Sequence, residues 1–457
     1  MRTLLAALCL ILAAGSGAAQ ENGDLGLIPE AIDSEPAGPS PPASNAHGKY
    51  FLENDSTLAS TRGNLTAAMP PPSPWLNRTS LDAYDQWSVD GTLFFTFSDR
   101  LNLSETNGTG APAETSRNDV REVYGTWEPA SETYVEFGRI NLKNGVALGF
   151  NPTDFFKTRS AVAQASADPA SLRDDRLGTL MLRAETIWDG GSATIAFAPR
   201  LQPPRPLDRT APGWLNPSFD QTNGADRFLV ALNPEIGDFG PQALIYHEGE
   251  RTRFGLNLSH PLGQAIVAYA EWAGGNAPDL IANAISVGKA TGTLPSTLPV
   301  LPSTSTGRAL QNDLAVGASW SSAARITLNL EFHVHQAGFS SADWRNWFAV
   351  GAADPAAATE LWYVRGYASD QQEPMSRQQV FLRADWQDAF IKDLELSAIA
   401  FVNPVDGSAM MQAAASRYLS GAWTVAGYFG GTFGGRRSEW GSIPGAVNAT
   451  IQVVRYF

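Results

Sequence analysis

The chain has 457 residues, a formal net charge of −14, a single cysteine and five histidines. One thiol cannot build a disulfide framework or a thiolate metal centre, and the acidic balance argues against a nucleic-acid partner. No apolar run approaches the ~18 residues of a membrane-spanning helix, so an exported chain of this kind is either soluble or a β-barrel.

Residues 1–19 read as a secretory leader: Arg2 opens it, Leu4 to Ala14 form an apolar core, and Gly17-Ala18-Ala19 offers small residues for cleavage. Cys9 lies inside that core with Leu8 before it, which does not suit a lipoprotein anchor. Residues 20–82 change character. Pro, Ala, Ser, Gly and Asn dominate, with Pro-Pro-Pro at 70–72, and a flexible periplasmic extension is expected there.

From Tyr84 onward the hydropathy has period two, and the barrel is expected over 83–457. In Trp87 to Asn102, Trp87, Val89, Leu93, Phe95 and Phe97 share one face, with Asp90, Thr92, Thr96, Ser98 and Arg100 on the other. In Ala324 to Gln336, Ile326, Leu328, Leu330, Phe332 and Val334 alternate with Arg325, Thr327, Asn329, Glu331, His333 and His335. About sixteen such segments recur, near 86–103, 118–128, 132–142, 177–188, 191–199, 226–234, 239–247, 250–259, 264–273, 312–320, 324–337, 377–387, 393–403, 408–418, 422–430 and 447–457. Most are 9–13 residues long, the reach of a tilted membrane strand. Alternate connections are tight while most of the others are long, as at 143–176, 200–225, 274–311 and 338–376. The expected fold is therefore all-β: a transmembrane antiparallel barrel with short periplasmic turns and long extracellular loops.

Tryptophan supplies an independent check. Trp87, Trp127, Trp188, Trp320, Trp386 and Trp423 all fall at the short-turn end of their segments and in the apolar phase. Indole rings prefer the headgroup level, so one ring height on an outward face marks an interfacial girdle.

With apolar residues facing lipid, the polar phase lines the lumen. The candidate pore-lining residues are Asp154, Lys157, Arg159, Arg183, Glu185, Arg253, Glu271, Arg325, Glu331, Arg383, Asp385 and Glu395. They either brace and hydrate a wide pore or separate into acidic and basic stripes that orient solutes at a constriction. The loop 143–176 is the candidate constriction, because Phe150, Phe155 and Phe156 would be wasted in a solvated external loop. Asp154 is placed to cap a short helix running through Phe156. Glu331, His333 and His335 share a strand face and invite a metal reading, but no third ligand on another strand is identifiable. No metal, no cofactor and no catalytic residue is expected, and neither G-x-S-x-G, a P-loop nor H-E-x-x-H occurs.

The ending V-N-A-T-I-Q-V-V-R-Y-F, Val447 to Phe457, resembles the terminal strand of Gram-negative outer-membrane barrels, with Arg455 where those strands carry an apolar or aromatic residue. As a strand at a chain end it needs a partner, and pairing with the first strand would close a barrel. Gly138-Arg139, Gly145 and Asn151-Pro152-Thr153-Asp154 resemble the G-R…G…N-P-x-D stretch of porin-like families related to alginate-export proteins. These resemblances imply location in the cell outer membrane and passive passage of small hydrophilic solutes. They imply as partners the membrane lipid, lipopolysaccharide and the barrel assembly machinery, with a homotrimer as one option. A polysaccharide or secretion export barrel is the first alternative, and an outer-membrane barrel enzyme the second.

Overall fold

The computed structural model describes residues 48–63, 73–107, 116–203, 218–295, 301, 308–353 and 357–457; the expected leader 1–19 and residues 20–47 lie outside them. Among the described residues eighteen strands form one antiparallel sheet. The first nine are β1 (Lys49–Thr61), β2 (Trp75–Ser88), β3 (Leu93–Asn107), β4 (Ser116–Ala130), β5 (Thr133–Ile140), β6 (Thr179–Trp188), β7 (Gly191–Ala198), β8 (Arg227–Pro234) and β9 (Gln242–Glu248). The second nine are β10 (Arg251–Leu262), β11 (Ile266–Ala277), β12 (Ala309–Ser321), β13 (Ile326–His335), β14 (Gln378–Trp386), β15 (Leu394–Val402), β16 (Ala409–Ser420), β17 (Trp423–Phe433) and β18 (Gly445–Tyr456). Each strand pairs with its successor. The terminal strand pairs back onto β1, from Phe51 opposite Tyr456 to Thr61 opposite Gly445, which closes the barrel and leaves no sheet edge.

The sixteen segments read from the sequence correspond to β3 to β18. The two additional strands correct the reading of 20–82, since β1 and most of β2 occupy residues assigned there to a flexible extension. The physical reason lies on the outer face of β1. Asn54 and Ser56 point away from the lumen between Leu52 and Leu58, so β1 is polar on both faces and its period-two signal is flat. A second correction concerns 86–103, which is not one strand. Residues 89–92 make a tight turn in which the Asp90 carboxylate accepts from Thr92 N at 3.0 Å and Leu93 N at 2.9 Å. Asp90 therefore serves the turn and not the lumen.

Turns at 89–92, 131–132, 189–190, 235–241, 263–265, 322–325, 387–393 and 421–422 lie at one end of the barrel, and the longer loops at the other. Large apolar side chains such as Leu182, Ile195, Leu256, Leu330 and Phe429 are exposed on the outer wall, while Thr194, Asn257, Asn329 and Glu331, one residue from Ile195, Leu256 and Leu330, are buried inside. Trp87, Trp127, Trp188, Trp320 and Trp423 are exposed outward at the turn end, and Trp386 lies there against Phe390, ring centroids 4.6 Å apart. The girdle is as the sequence implied. Arg455 sits over the Trp423 ring, 5.0 Å from its centroid, so a cation–π contact accommodates it in the outward row of the last strand.

Two features depart from a simple polar interior. First, one sector of the inner wall is apolar: Ala196, Ala198, Leu229, Ala231, Leu244 and Tyr246, contributed by β7, β8 and β9, are buried and face inward. Second, the loops carry helices. Among the described residues these are α1 (Pro169–Asp174), α2 (Phe219–Thr222), α3 (Leu280–Ala290), α4 (Ser341–Ala353) and α5 (Ala358–Gln371). Asp279 caps α3 by accepting from Ala282 N at 2.7 Å. Trp344, Trp347 and Phe348 at i, i+3 and i+4 give α4 an apolar stripe. That stripe packs with Leu280, Ile281, Leu361, Val364 and Tyr367 into one core. Each such side chain contributes ~1.5–3 kcal/mol on burial, enough to make α3–α5 a folded cap in place of the open loops expected at 274–311 and 338–376.

Candidate functional site: a loop pinned across the bore

The connection between β5 and β6, residues 141–178, leaves the wall and runs through the barrel interior. It is held first by two carboxylates. Glu271 on β11 is fully buried and accepts from Val146 N (2.9 Å), Ala147 N (3.0 Å), Thr153 N (2.6 Å) and Thr153 Oγ1 (2.8 Å). Glu331 on β13 accepts from Leu148 N (2.6 Å), Gly149 N (2.8 Å) and the Tyr269 hydroxyl (2.8 Å), and pairs with His333 Nε2 at 2.7 Å. A short irregular segment has no ladder to satisfy its amides, so inward-facing acids on the wall replace it. The fit demands glycine twice. A Cβ on Gly145, whose φ is +94°, would run into the Glu271 carboxylate, and one on Gly149 would overlap the Phe381 ring.

Beyond these pins, Phe155 stacks on Tyr246 with ring centroids 4.5 Å apart, and Phe156 meets the same ring edge-on at 5.8 Å. These two phenylalanines fill the apolar sector of the wall. The loop then crosses to the far strands. Ala167 N donates to Gln412 Oε1 at 2.7 Å on β16, and Arg383 of β14 donates to Asp168 at 2.9 Å. It returns along α1 to Asp175, which Arg121 of β4 meets at 2.8 Å. Attachment to β4, β11, β13, β14 and β16 places the segment across the bore, as the phenylalanines implied.

Asp154 caps no helix, because residues 152–158 form turns. Its buried carboxylate instead receives both Arg176 nitrogens, at 2.7 and 2.9 Å. Burial disfavours its charge, yet Arg176 and Arg173 outweigh that and hold the carboxyl below its ordinary value. Lys157 donates to Asn151 O at 2.7 Å and sits 4.4 Å from the Phe150 centroid; burial lowers its ammonium below the usual lysine value. Arg159, with φ +57°, donates its backbone N–H to Asp370 O at 2.7 Å and so joins the loop to α5. Thus the G…N-P-T-D stretch supplies the fitted glycine, the Thr153 donors and the Asp154 grip.

The remaining candidates divide. Arg183 pairs with Glu136 at 2.8 Å and with Glu185 on its own strand. Arg253 pairs with Asp313 and lies 5.3 Å from the Phe155 centroid. Arg383 and Asp385 meet at 2.8 Å, and Glu395 is half-buried on the same inner wall. Arg325 is a correction. It occupies the turn before β13, is largely exposed, and pairs with Asp388 of the neighbouring turn, because the inward phase of β13 begins only at Thr327. The two histidines do not converge on a metal either: His333 faces Glu331, while His335 pairs with Asp313 at 2.7 Å.

The segment-by-segment reading also left out a group on β1 to β4. Asp55, Arg78, Glu53, Arg100, Asp82, Arg121 and Asp175 form a chain of alternating charge from the barrel seam to the inserted loop. The alternation Arg78, Ser80, Asp82 in β2 was its available signal.

No family model matches the chain, and no curated protein does. Among solved structures, a BenF-like porin from Pseudomonas fluorescens Pf-5 superposes with a TM-score of 0.51 at 11% identity, covering 91% of this chain and 99% of that one. OccK5 (OpdH) of Pseudomonas aeruginosa gives 0.51 at 8% identity, covering 90% and 97%. At such identities the likeness establishes architecture: the chain has the fold of a Gram-negative outer-membrane porin-like β-barrel.

Proposed function

We propose that this protein is an outer-membrane channel for passive passage of small hydrophilic solutes, narrowed by the inserted segment 141–178. The observation that carries the reading is the pair Glu271 and Glu331, which spend buried carboxylates on holding a loop inside the barrel. A loop so placed restricts the bore, and hydrated side chains around it lower the cost of polar passage relative to the bilayer. The secretory leader over 1–19 belongs to the same reading. We read the protein as non-enzymatic, since the histidines that could serve a reaction are committed to structural carboxylates. Reconstituted liposomes test the proposal. They should swell in small sugars and polar amino acids and progressively less in oligosaccharides; vesicles no leakier than protein-free ones would refute it.

Self-association is part of the proposal. On the outer face of β1 and β2, Asn54 Nδ2 donates to Thr79 Oγ1 at 2.9 Å and Asn77 Nδ2 to Ser56 Oγ at 2.9 Å. Asp99 of β3 lies half-buried on the same face, with its Oδ1 lacking a hydrogen bond. Polar groups at mid-wall are costly against acyl chains, so this strip favours burial against another copy in a homotrimer. Cross-linking in native membranes should give a ladder that Asp99→Arg removes.

A further inference from the structure

We infer that the outer wall at β14–β18 carries a docking site for one anionic phospholipid of the periplasmic leaflet. An acyl chain lies in a furrow over alanines, and the phosphate sits on Arg417 and Arg455. The furrow comes from the strand register. Ala384, Ala398 and Ala413 stand directly opposite one another on β14, β15 and β16, with Leu328 of β13 and Phe429 of β17 at the ends of the row. All belong to the outward phase, and Leu382 and Met411 rise beside the alanines in the next row. Small side chains between larger ones leave a concavity of about 730 Å³ that is almost wholly apolar. On the outside of a barrel this hollow faces acyl chains, and a hollow left unfilled loses dispersion contacts on one side. A single extended hydrocarbon chain is the shape that fills it.

Charge sets this occupant apart from bulk lipid. Towards the turn end of β16 the outward row runs Ala413, Ala415, Arg417. Gly427 stands opposite Ala415, and a Cβ there would meet nothing within 4 Å, so the path from the furrow to Arg417 is open. Arg417 is exposed, and among the described residues nothing hydrogen-bonds or ion-pairs with its side chain. Two strands away, Arg455 is paired with Trp423 in the register and leans over that ring, 5.0 Å from its centroid. The ring engages the face of the guanidinium, while its N–H groups lie in the plane and point outward to an acceptor. The two backbones are ~12 Å apart, from two strand spacings and two residues of offset, a gap that two arginine side chains can close on one phosphate. Trp423 marks the headgroup level. From Arg417 to Ala413 is ~14 Å along the strand, within the ~15 Å of hydrocarbon in one leaflet. Head and chain of one lipid therefore meet both parts of the site at once.

Native mass spectrometry tests the site on the full-length protein, stripped of lipid in detergent and re-supplied with dipalmitoyl phosphatidylglycerol or dipalmitoyl phosphatidylcholine. The wild type should retain one phosphatidylglycerol and lose phosphatidylcholine. Arg417→Gln should weaken retention roughly fivefold, and adding Arg455→Gln should weaken it further. Ala398→Leu fills the furrow with both arginines in place. It should cut retention of the dipalmitoyl lipid and leave that of dihexanoyl phosphatidylglycerol, whose chains are too short to reach the furrow, as it was. Arg455 belongs to the closing strand, so Arg417→Gln and Ala398→Leu carry the test should its variant fail to assemble. Equal retention of the two headgroups, or retention unchanged by either of those substitutions, overturns the site. So does a disulfide between two Ala413→Cys chains in the membrane, which would give the furrow to a second copy of the protein.

Discussion

The inserted loop is held on two sides of the barrel by different physics. Along β7–β13 it is held by shape and burial: Phe155 and Phe156 against Tyr246, and backbone amides on Glu271 and Glu331. Along β1–β4 it is held mainly by polar contacts at its two ends: Arg121 meets Asp175 at the end of an alternating chain of charge that begins at the seam, Gly178 N donates to Arg121 O at 2.8 Å and Asn141 N to Glu122 Oε1 at 3.0 Å. In the first sector each contact is buried and nearly irreplaceable, because removing one partner strands the other without water. In the second the five ions between the ends, Arg78, Glu53, Arg100, Asp82 and Arg121, each have two neighbours of opposite sign, so loss of one is shared, while the end members Asp55 and Asp175 each pair with one arginine. The lesson is that a wall can fix a loop either as a mould or as a lattice, and the two tolerate substitution differently.

Breaking the mould should have the largest effect. Arg176→Ala leaves the Asp154 carboxylate buried without its bidentate partner, a loss of ~3–5 kcal/mol. The expected result is rapid proteolytic nicking within 150–165 of an otherwise intact barrel, and Arg176→Lys should rescue only partly because it cannot bind in a fork. Phe155→Ala comes next, at ~3–5 kcal/mol from lost transfer and a residual cavity, read as increased channel noise with the barrel's thermal stability little changed. The pH dependence sharpens the same contrast. Asp154 is held below its ordinary value of 3.8, so the stabilisation it gives is complete above that value and lost as pH falls through the lower one in the folded protein. Loop protection from protease should therefore stay level from neutral pH down to about 4 and fail only below it. In the lattice, Asp82→Asn removes one link between Arg100 and Arg121, yet each keeps another carboxylate, Glu53 and Asp175 respectively. Only a modest change in conductance should follow. Arg325→Ala, in an exposed turn, should alter stability within about 0.5 kcal/mol and leave conductance as it was.

Legibility followed the same division. β13 announces itself, since Leu328, Leu330 and Phe332 face lipid while Asn329, Glu331 and His333 face in. β1 does not, because Asn54 and Ser56 occupy its outward positions, and a period-two pattern needs contrast between faces. The inserted loop was visible through Phe150, Phe155 and Phe156. Its pins were not, because Glu271 and Glu331 lie 93 or more residues beyond Gly178 and nothing local distinguishes them from other luminal acids. The cap helices were legible in retrospect: Trp344, Trp347 and Phe348 have helical spacing, overshadowed by the strand period around them. Arg325 misled because alternation was carried one step too far into a turn.

The most direct measurement is the single-channel conductance of the wild type beside the double variant Glu271→Ala/Glu331→Ala in the same bilayer. With both pins gone, seven donor contacts to the loop and wall lose their acceptor. The loop should leave the bore, and conductance should rise by about twofold or more while the barrel remains folded. Equal conductance in the two proteins would contradict the account, because the inserted segment would then not be what narrows the passage.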